Sequence, residues 1–333
     1  MANEKAAVSA AQPTSLADWT PAGTPAEARA SGILPHLRYV VRAMRPRQWT
    51  KNGIVFLAFV FSVNQQYEIG EPSTWVPKLL ESLVAFACFT LVSSADYLVN
   101  DIRDVESDRV HPRKRNRPIA AGLLSVNSAW RWAVALAVIG NAGAFALNWK
   151  MGLVVFAYTV LMVAYSYRLK HIVLLDLMVI AAGFVLRAMA GALAIEVPIS
   201  PWLYVVTALG ALFLGINKRK AELELLQDGA GNHRKILDEY STGLLDQMAS
   251  TVTAATLMAY GLYTFTAEGL PENHSMMLTI PFVLYGIFRY LYLVDVKKEG
   301  GSPEEVLLKD IPIMLTVIGW ITTAAIVLLV ARE

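Results

Sequence analysis

The sequence predicts an all-α integral membrane protein with nine transmembrane helices. Of its 333 residues, 55% are hydrophobic and only 17% are charged, whereas a soluble domain carries about 25% charged residues. The apolar residues form long blocks, and Lys and Arg are concentrated in alternate segments between these blocks. A soluble globular domain and a coiled coil are therefore excluded. The single cysteine, Cys88, lies within an apolar block, which also excludes a disulfide framework and a cysteine-ligated metal site.

The order of these blocks divides the chain into two regions. Residues 1–31 are rich in Ala, Ser, Thr and Pro and lack an apolar core, so we expect a disordered N-terminal arm. Residues 32–333 are expected to form one transmembrane domain. Its nine apolar segments lie at approximately 53–65, 79–99, 129–149, 151–167, 172–195, 202–217, 249–267, 276–294 and 311–331. The first and sixth are shorter than the ~20 residues of a full span, but omitting either would break the alternation of basic residues.

The basic residues also orient the nine segments. With the N-terminus inside, the predicted inner segments hold 21 Lys and Arg residues, and the outer segments hold three. Such residues accumulate on the cytoplasmic side of membranes. We therefore predict a multi-pass protein of the cell (inner) membrane, with cytoplasmic cap loops at about 100–128, 168–176 and 217–248 and an active site on that face. The last loop is expected to form an amphipathic helix, a turn at 229–231 and a second helix, and is a candidate lid.

A run of carboxylates follows the second apolar segment directly. The spacing of Asp101, Asp104 and Asp108 places their side chains on one face of a helix. Carboxylate oxygens that leave room for water and phosphate suit Mg²⁺, so these three residues are predicted to be metal ligands and catalytic. The alternative is a solvated helix end in which Arg103 and Arg109 balance the acidic charge.

Two further features favour the metal site. Asn100 and Asp96 continue the same helix face into the apolar segment, where polar groups are costly and usually functional. A basic cluster at 113–117 follows the carboxylates directly. Because the guanidinium group matches the geometry of phosphate oxygens, Arg117 is a candidate phosphate ligand.

The motif Asn100-Asp101-x-x-Asp104-x-x-x-Asp108, followed by Arg117-Pro118, resembles the first signature of the UbiA superfamily of intramembrane transferases. The resemblance covers about residues 36–331 and implies a UbiA-like bundle of nine helices with aspartate-rich cytoplasmic loops. In the prenyltransferases of that superfamily, a second aspartate-rich motif follows the fourth span and helps to hold the Mg²⁺-diphosphate of an isoprenyl donor.

This chain departs from the family pattern at the second motif. Residues 165–176 contain one carboxylate, Asp176, together with Arg168 and Lys170. With the basic runs at 45–52 and 217–223, the chain resembles the actinobacterial branch of the superfamily. That resemblance implies phosphoribosyl pyrophosphate as donor and a polyprenyl (decaprenyl) phosphate as acceptor, with release of pyrophosphate, in the synthesis of a cell-wall arabinan precursor.

The expected active site combines these groups. Lys170 joins the three aspartates as a catalytic residue. The expected substrate-binding residues are Lys51, Asn100, Arg117, Tyr167, Asp176, Lys218, Arg219 and Glu222. The lipid phosphate, already an anion, would attack the anomeric carbon without a strong base while Mg²⁺ stabilises the departing diphosphate.

Two alternatives stay open at this point. One is a prenyltransferase that moves an isoprenyl group from its diphosphate to an aromatic or other small acceptor, and the other is a cation-linked membrane transporter. We predict no nucleic-acid partner, and a homo-oligomer is possible. Arg187, within the fifth apolar segment, either faces a cavity or reaches the outer surface, and it is left outside the site. Arg289 is left without a role.

Overall fold

The computed structural model describes residues 33–111, 114–198, 200–227, 235–298, 306 and 309–330. Within these ranges the chain forms α-helices joined by short 3₁₀ turns, and no β-strand. The predicted arm at 1–31 and the predicted turn at 229–231 lie outside the described residues. The helices are α1 (Ile33–Ala43), α2 (Leu57–Phe61), α3 (Pro72–Arg103), α4 (Val105–Val110), α5 (Val126–Leu147), α6 (Trp149–Tyr167), α7 (Leu175–Ala194), α8 (Pro201–Gln227), α9 (Thr242–Thr266), α10 (Ile280–Asp295) and α11 (Ile311–Val330).

Several helices have the length and composition of membrane spans. In the described part of the chain seven qualify, namely α3, α5, α6, α7, the first 24 residues of α8, α10 with its preceding turn, and α11. Large apolar side chains such as Val138, Phe156 and Ile318 point outward and are more than half exposed. That arrangement suits a bundle whose outer surface is covered by lipid. The all-α, multi-pass membrane architecture predicted from the sequence is confirmed.

Helices α3 and α7 form the centre of the bundle. They are the most buried of the seven, and α3 packs against α5, α6, α7 and the 3₁₀ segment Pro46–Phe56. That segment also packs against α7, where a Cβ atom at Gly191 would overlap the backbone carbonyl of Val55. Glycine is therefore required for the close approach. Cys88 is buried in this core as a free thiol, as predicted.

Two boundaries differ from the sequence-based expectation. Helix α3 ends at Arg103 and α4 begins at Val105, because Asp104 has the non-helical backbone angles φ −96° and ψ 8°. The three aspartates therefore do not lie on one continuous helix. Residues 218–227 continue α8 instead of starting a separate helix, since no glycine or proline interrupts that stretch. Two predicted segments, 53–65 and 249–267, correspond to the region 46–61 and to α9.

Candidate active site

A cluster of carboxylates and cations lies where α3 ends. Asp101 and Asp108 are each only 2% exposed. The same nitrogen of Arg117, Nη1, donates to Oδ1 of Asp101 at 3.0 Å and to Oδ2 of Asp108 at 2.6 Å. Arg45 forms a second ion pair with Asp101. Burying two carboxylates without cations would be very costly, so this pairing makes the cluster possible.

The backbone explains how Asp101 and Asp108 meet despite the break at Asp104. The N–H of Asp104 donates to the carbonyl of Asn100 at 3.0 Å, and the N–H of Asp108 donates to the carbonyl of Asp104 at 2.8 Å. Helical hydrogen bonding therefore continues across the break. Residues seven apart remain on similar sides of the chain, as the spacing predicted.

Asp104 binds a different cation, Lys170. The ammonium of Lys170 lies 2.5 Å from Oδ1 of Asp104 and donates to Oδ1 of Asn100 at 3.2 Å. Lys170 is buried in the 3₁₀ turn Leu169–His171, between α6 and α7. The turn that replaces the second aspartate-rich motif thus inserts a positive charge directly into the first motif.

The donor set of this cluster fits a divalent cation, although the carboxylates now hold other cations. In the described part of the chain, no three acidic, histidine or cysteine side chains are grouped to bind one metal ion as they stand. Arg117 lies between Asp101 and Asp108, and Lys170 pairs with Asp104. Because Asp101 and Asp108 contact one shared nitrogen, their oxygens lie within two hydrogen-bond lengths of each other. A small shift would let both bind Mg²⁺, which prefers such oxygen ligands.

A second buried cluster surrounds Asp176, in the first turn of α7. Asp176 is fully buried, and its two oxygens accept from Nε of Arg219 at 2.9 Å and from the hydroxyl of Tyr240 at 2.7 Å. Burial, followed by the hydrogen bond to Asp176, raises the pKa of Tyr240 to about 12, so this hydroxyl is a neutral donor. Arg219 also pairs with Glu222 at 2.6 Å. Each oxygen of Asp176 therefore already accepts from a protein donor.

The two clusters are neighbours through the α6–α7 connection. The turn that carries Lys170 packs against the 3₁₀ segment Lys235–Glu239, and the N–H of Leu174 donates to the hydroxyl of Tyr240 at 2.9 Å. Arg219, which is predicted to bind substrate, forms an ion pair with Asp176 in this structure.

The remaining predicted residues lie on elements that carry or adjoin these clusters. Lys51 is half-buried in the segment Pro46–Phe56. Lys218 is half-buried in α8, and its side chain forms no hydrogen bond or ion pair with the described residues. Tyr167 is exposed at the end of α6, with the guanidinium of Arg103 4.4 Å from its ring centre.

Arg45 is a residue of the site that the sequence did not single out. It precedes Pro46 and adopts a left-handed backbone with φ 56°, a conformation that is unfavourable for a residue with a side chain. Its guanidinium reaches Asp101 and lies 4.8 Å from the centre of the Tyr97 ring. The signal in the sequence is the basic run at 45–52, in which Arg45 and Lys51 are alike in charge.

A small cavity opens beside this residue. It has a volume of about 200 Å³ and is lined by Arg42, Arg45, Asp101, Asn116, Arg117 and Pro118. Three guanidinium groups and one buried carboxylate around such a space give it the character of an anion site.

The structure also resolves the position of Arg187. Its side chain is buried in the bundle interior, where it donates to Oδ1 of Asn52 at 2.8 Å, to the carbonyl of Gly183 at 2.8 Å and to the hydroxyl of Tyr158 at 2.7 Å. It does not reach the outer surface. Buried polar groups of this kind, deep in a membrane bundle, were left unassigned by sequence reasoning because their partners come from three separate segments.

Two more ion-paired groups hold helices together outside the site. Lys220 lies 2.5 Å from Asp246 and 2.7 Å from Asp295, and so connects α8 with α9 and α10. Arg289 of α10 pairs with Asp310 at 2.8 Å. Arg289, which the sequence patterns left without a role, therefore has a structural one.

Comparison with known proteins shows which family has this sequence and architecture. A family model described as the UbiA prenyltransferase family matches residues 70–309. The decaprenyl-phosphate phosphoribosyltransferase of Mycobacterium tuberculosis is 37% identical over 284 residues, which cover 85% of this chain and 92% of that protein. The protein of the same name from Corynebacterium glutamicum is 35% identical over 289 residues, which cover 85% of this chain and 84% of that protein.

A solved structure agrees with the fold. A UbiA homolog from Archaeoglobus fulgidus, bound to GPP and Mg²⁺, superposes with a TM-score of 0.66 at 18% sequence identity, covering 87% of this chain and 99% of that one. The helical bundle, the first aspartate motif and the sequence match over most of the length all agree. This chain belongs to the UbiA prenyltransferase family.

Proposed function

We propose that this protein transfers 5-phosphoribose from phosphoribosyl pyrophosphate to a polyprenyl phosphate, such as decaprenyl phosphate, and releases pyrophosphate. The relatives named decaprenyl-phosphate phosphoribosyltransferase, which are 35–37% identical over 85% of the chain, support this reaction and this acceptor. The lipid product would then serve as a precursor of cell-wall arabinan, as in arabinogalactan.

One observation carries the choice between this reaction and ordinary prenyl transfer. In prenyl transfer we would expect a second set of carboxylates able to bind Mg²⁺-diphosphate. Here Asp176 is the only carboxylate of that motif, and its oxygens are taken by Arg219 and Tyr240. The same motif contributes Lys170, a buried cation that contacts Asp104. At the position of the second motif, the chain therefore provides a positive charge instead of further carboxylates for a metal ion.

The excess of cations suits the proposed substrates. The donor carries a 5-phosphate and a diphosphate, and the acceptor carries a lipid phosphate, so three anionic groups meet in one site. Arg42, Arg45 and Arg117 line one cavity, and Lys170, which is not part of that lining, pairs with Asp104. Guanidinium groups bind phosphate oxygens in pairs, and an ammonium binds them as a point charge.

In the proposed mechanism Asp101, Asp104 and Asp108 would hold Mg²⁺. When bound, the ion would neutralise the charge that develops on the departing diphosphate. Arg117 and Lys170 exchange their carboxylate partners for phosphate oxygens and so orient the donor for transfer. Asn100 fixes the position of the Lys170 ammonium.

The acceptor requires positioning more than activation. A phosphate oxygen is an anion at neutral pH, so no general base is needed when it attacks the anomeric carbon. Its charge must be brought next to another polyanion, and cations near the site offset that repulsion. Lys51 and Lys218 are assigned to this role, and Tyr167, which stacks with the guanidinium of Arg103, is assigned to positioning the acceptor. Arg219, held by Asp176 and Glu222, supports the loop that carries Lys170.

The proposed topology has nine spans and a cytoplasmic site in the cell (inner) membrane. The region 46–61 would provide the first span despite its shortness, because a 3₁₀ helix rises about 2.0 Å per residue and an α-helix about 1.5 Å. The 11 residues of the segment Pro46–Phe56 and the five of α2 then reach roughly 30 Å, the thickness of the hydrocarbon core. Helix α9, with 25 residues, is long enough to provide the other.

A direct assay tests the proposed function. Purified protein in detergent is incubated with Mg²⁺, labelled phosphoribosyl pyrophosphate and decaprenyl phosphate, and the organic phase is examined for a labelled lipid. Chelation of divalent metal should abolish the product. Transfer of an isoprenyl group from its diphosphate to an aromatic acid, with no lipid product from the sugar donor, would instead identify an ordinary prenyltransferase.

A further inference from the structure

Asp96 is a carboxylate of the bundle interior that the mechanism above leaves unused. It lies in the membrane-spanning part of α3, one turn before Asn100, yet its side chain is only half-buried. A charged group within a span normally faces a water-filled cavity or the bundle interior. Asp96 therefore extends the row of polar side chains of the site into the membrane-spanning part of α3.

The surroundings of Asp96 show which way it faces. Ser166 of α6 donates to its Oδ1 at 3.5 Å. It interacts electrostatically with Arg187 of α7, with Arg45 and with Lys170. These neighbours come from four separate elements, so Asp96 faces inward, directly below the pair formed by Lys170 and Asn100.

Asp96 differs from the other carboxylates of this region in lacking a direct ion pair. Asp101, Asp104, Asp108 and Asp176 each contact a cation at 3.0 Å or less. For Asp96, the long hydrogen bond from Ser166 is the only one within the described ranges, and no cation lies within ion-pair distance. A carboxylate with one long hydrogen bond from the described residues has acceptor capacity left that a ligand can use.

The chemistry of the proposed substrates identifies that ligand group. Nearly every polar atom of the donor and the acceptor is a phosphate or ether oxygen, which a carboxylate repels or cannot bind. The exceptions are the two ring hydroxyls of ribose, which donate hydrogen bonds. Asp96 precedes Asn100 by one turn of α3, about 6 Å along the helix axis, and Asn100 accepts from the ammonium of Lys170. A sugar ring attached to a diphosphate bound by Lys170 reaches that depth.

We propose that Asp96, together with Ser166, binds the ribose hydroxyls of the donor. This inference rests on the proposed function and adds a sugar subsite to it. It also explains donor selection, because an isoprenyl chain in this position would lie against a carboxylate and leave it without partners. A diol, in contrast, satisfies both carboxylate oxygens.

Asp96→Asn tests the subsite, since the amide keeps the shape of the side chain and removes the charge. We expect catalytic efficiency with phosphoribosyl pyrophosphate to fall about 10- to 100-fold, the loss typical of a hydrogen bond to a charged group. Inhibition by pyrophosphate, which lacks the sugar, should be unchanged, and this also shows that the variant is folded. The matched control is Glu106→Gln, a neighbouring acidic residue whose side chain is 81% exposed and pairs with Arg109.

Donor analogues make the test specific to the hydroxyls. The assay is repeated with the 2-deoxy and the 3-deoxy donor. For at least one of these analogues, the catalytic efficiencies of the wild type and Asp96→Asn should differ far less than they do with the natural donor. Unchanged efficiency of Asp96→Asn with the natural donor, or a parallel loss of pyrophosphate binding, would overturn the subsite. The subsite would also be refuted if Asp96→Asn lost as much catalytic efficiency with both analogues as it does with the natural donor. These outcomes leave the proposed function intact, whereas a wild type that makes no lipid from the sugar donor would refute the function itself.

Discussion

Replacing Arg117 with Gln tests whether protein cations stand in the place of a metal ion at the end of α3. Arg117 is the ion-pair partner of Asp108 and one of two partners of Asp101 in the described residues. Breaking a buried ion pair costs 3–5 kcal/mol, and because the guanidinium is 24% exposed we expect about 2–4 kcal/mol. Without metal, Arg117→Gln should therefore unfold at a clearly lower temperature than the wild type.

Mg²⁺ should reverse much of this loss. A ligand present at 100 times its dissociation constant stabilises the folded state by about 2.7 kcal/mol. The wild type should gain less, because the ion must first displace the guanidinium. The assay is thermal unfolding in detergent as a function of MgCl₂, with Arg109→Gln as control, since that arginine is half exposed and pairs with an exposed glutamate. If Mg²⁺ stabilises Arg117→Gln no more than the control, the carboxylates do not form a metal site.

Three other predictions concern topology, packing and pH. In intact cells, a cysteine at Glu272 should react with an impermeant thiol reagent and one at Asn116 should not, while the native cysteine is buried and silent; the reverse pattern would invert the topology. Gly191→Ala should lower the unfolding temperature, because overpacking costs about 1–3 kcal/mol, whereas Gly210→Ala, with open space around it, should not. The guanidinium paired with Asp310 holds the pKa of that carboxyl below its usual 3.8. Above pH 3.8 the ion pair stabilises the folded protein, and this stabilisation is lost as the pH falls through the lowered pKa. Asp310→Asn should therefore lower the unfolding temperature at neutral pH and leave it unchanged in acid.

Sequence patterns predicted the parts of the molecule that depend on local periodicity. Long apolar blocks gave the membrane helices, and the seven-residue spacing of Asp101 and Asp108 gave their convergence. The substitution of Lys170 for a second carboxylate was visible as composition alone. These features hold because helix geometry fixes which neighbours share a face, whatever the rest of the fold does.

The features that were missed depend on contacts between distant segments. Arg45 reaches Asp101 only because its backbone is left-handed, which no residue pattern before a proline indicates. Arg219 was expected to bind substrate, and no sequence pattern indicated that tertiary packing also pairs it with Asp176. The single helix proposed for the three aspartates fails at Asp104, where a one-residue break redirects a side chain toward Lys170.

These pairings bear on how metal and substrate binding are connected. Each cation at the end of α3 now neutralises a carboxylate that Mg²⁺ would otherwise neutralise, as in the pair formed by Lys170 and Asp104. When a metal ion takes the carboxylates, the same cations lose their partners and become available to phosphate. Binding of either ligand therefore removes a cost of binding the other, which is positive coupling between two sites. We expect the affinity for the sugar diphosphate to rise with Mg²⁺ even in variants that cannot complete the transfer, because the coupling lies in the exchange of ion-pair partners and not in the chemistry.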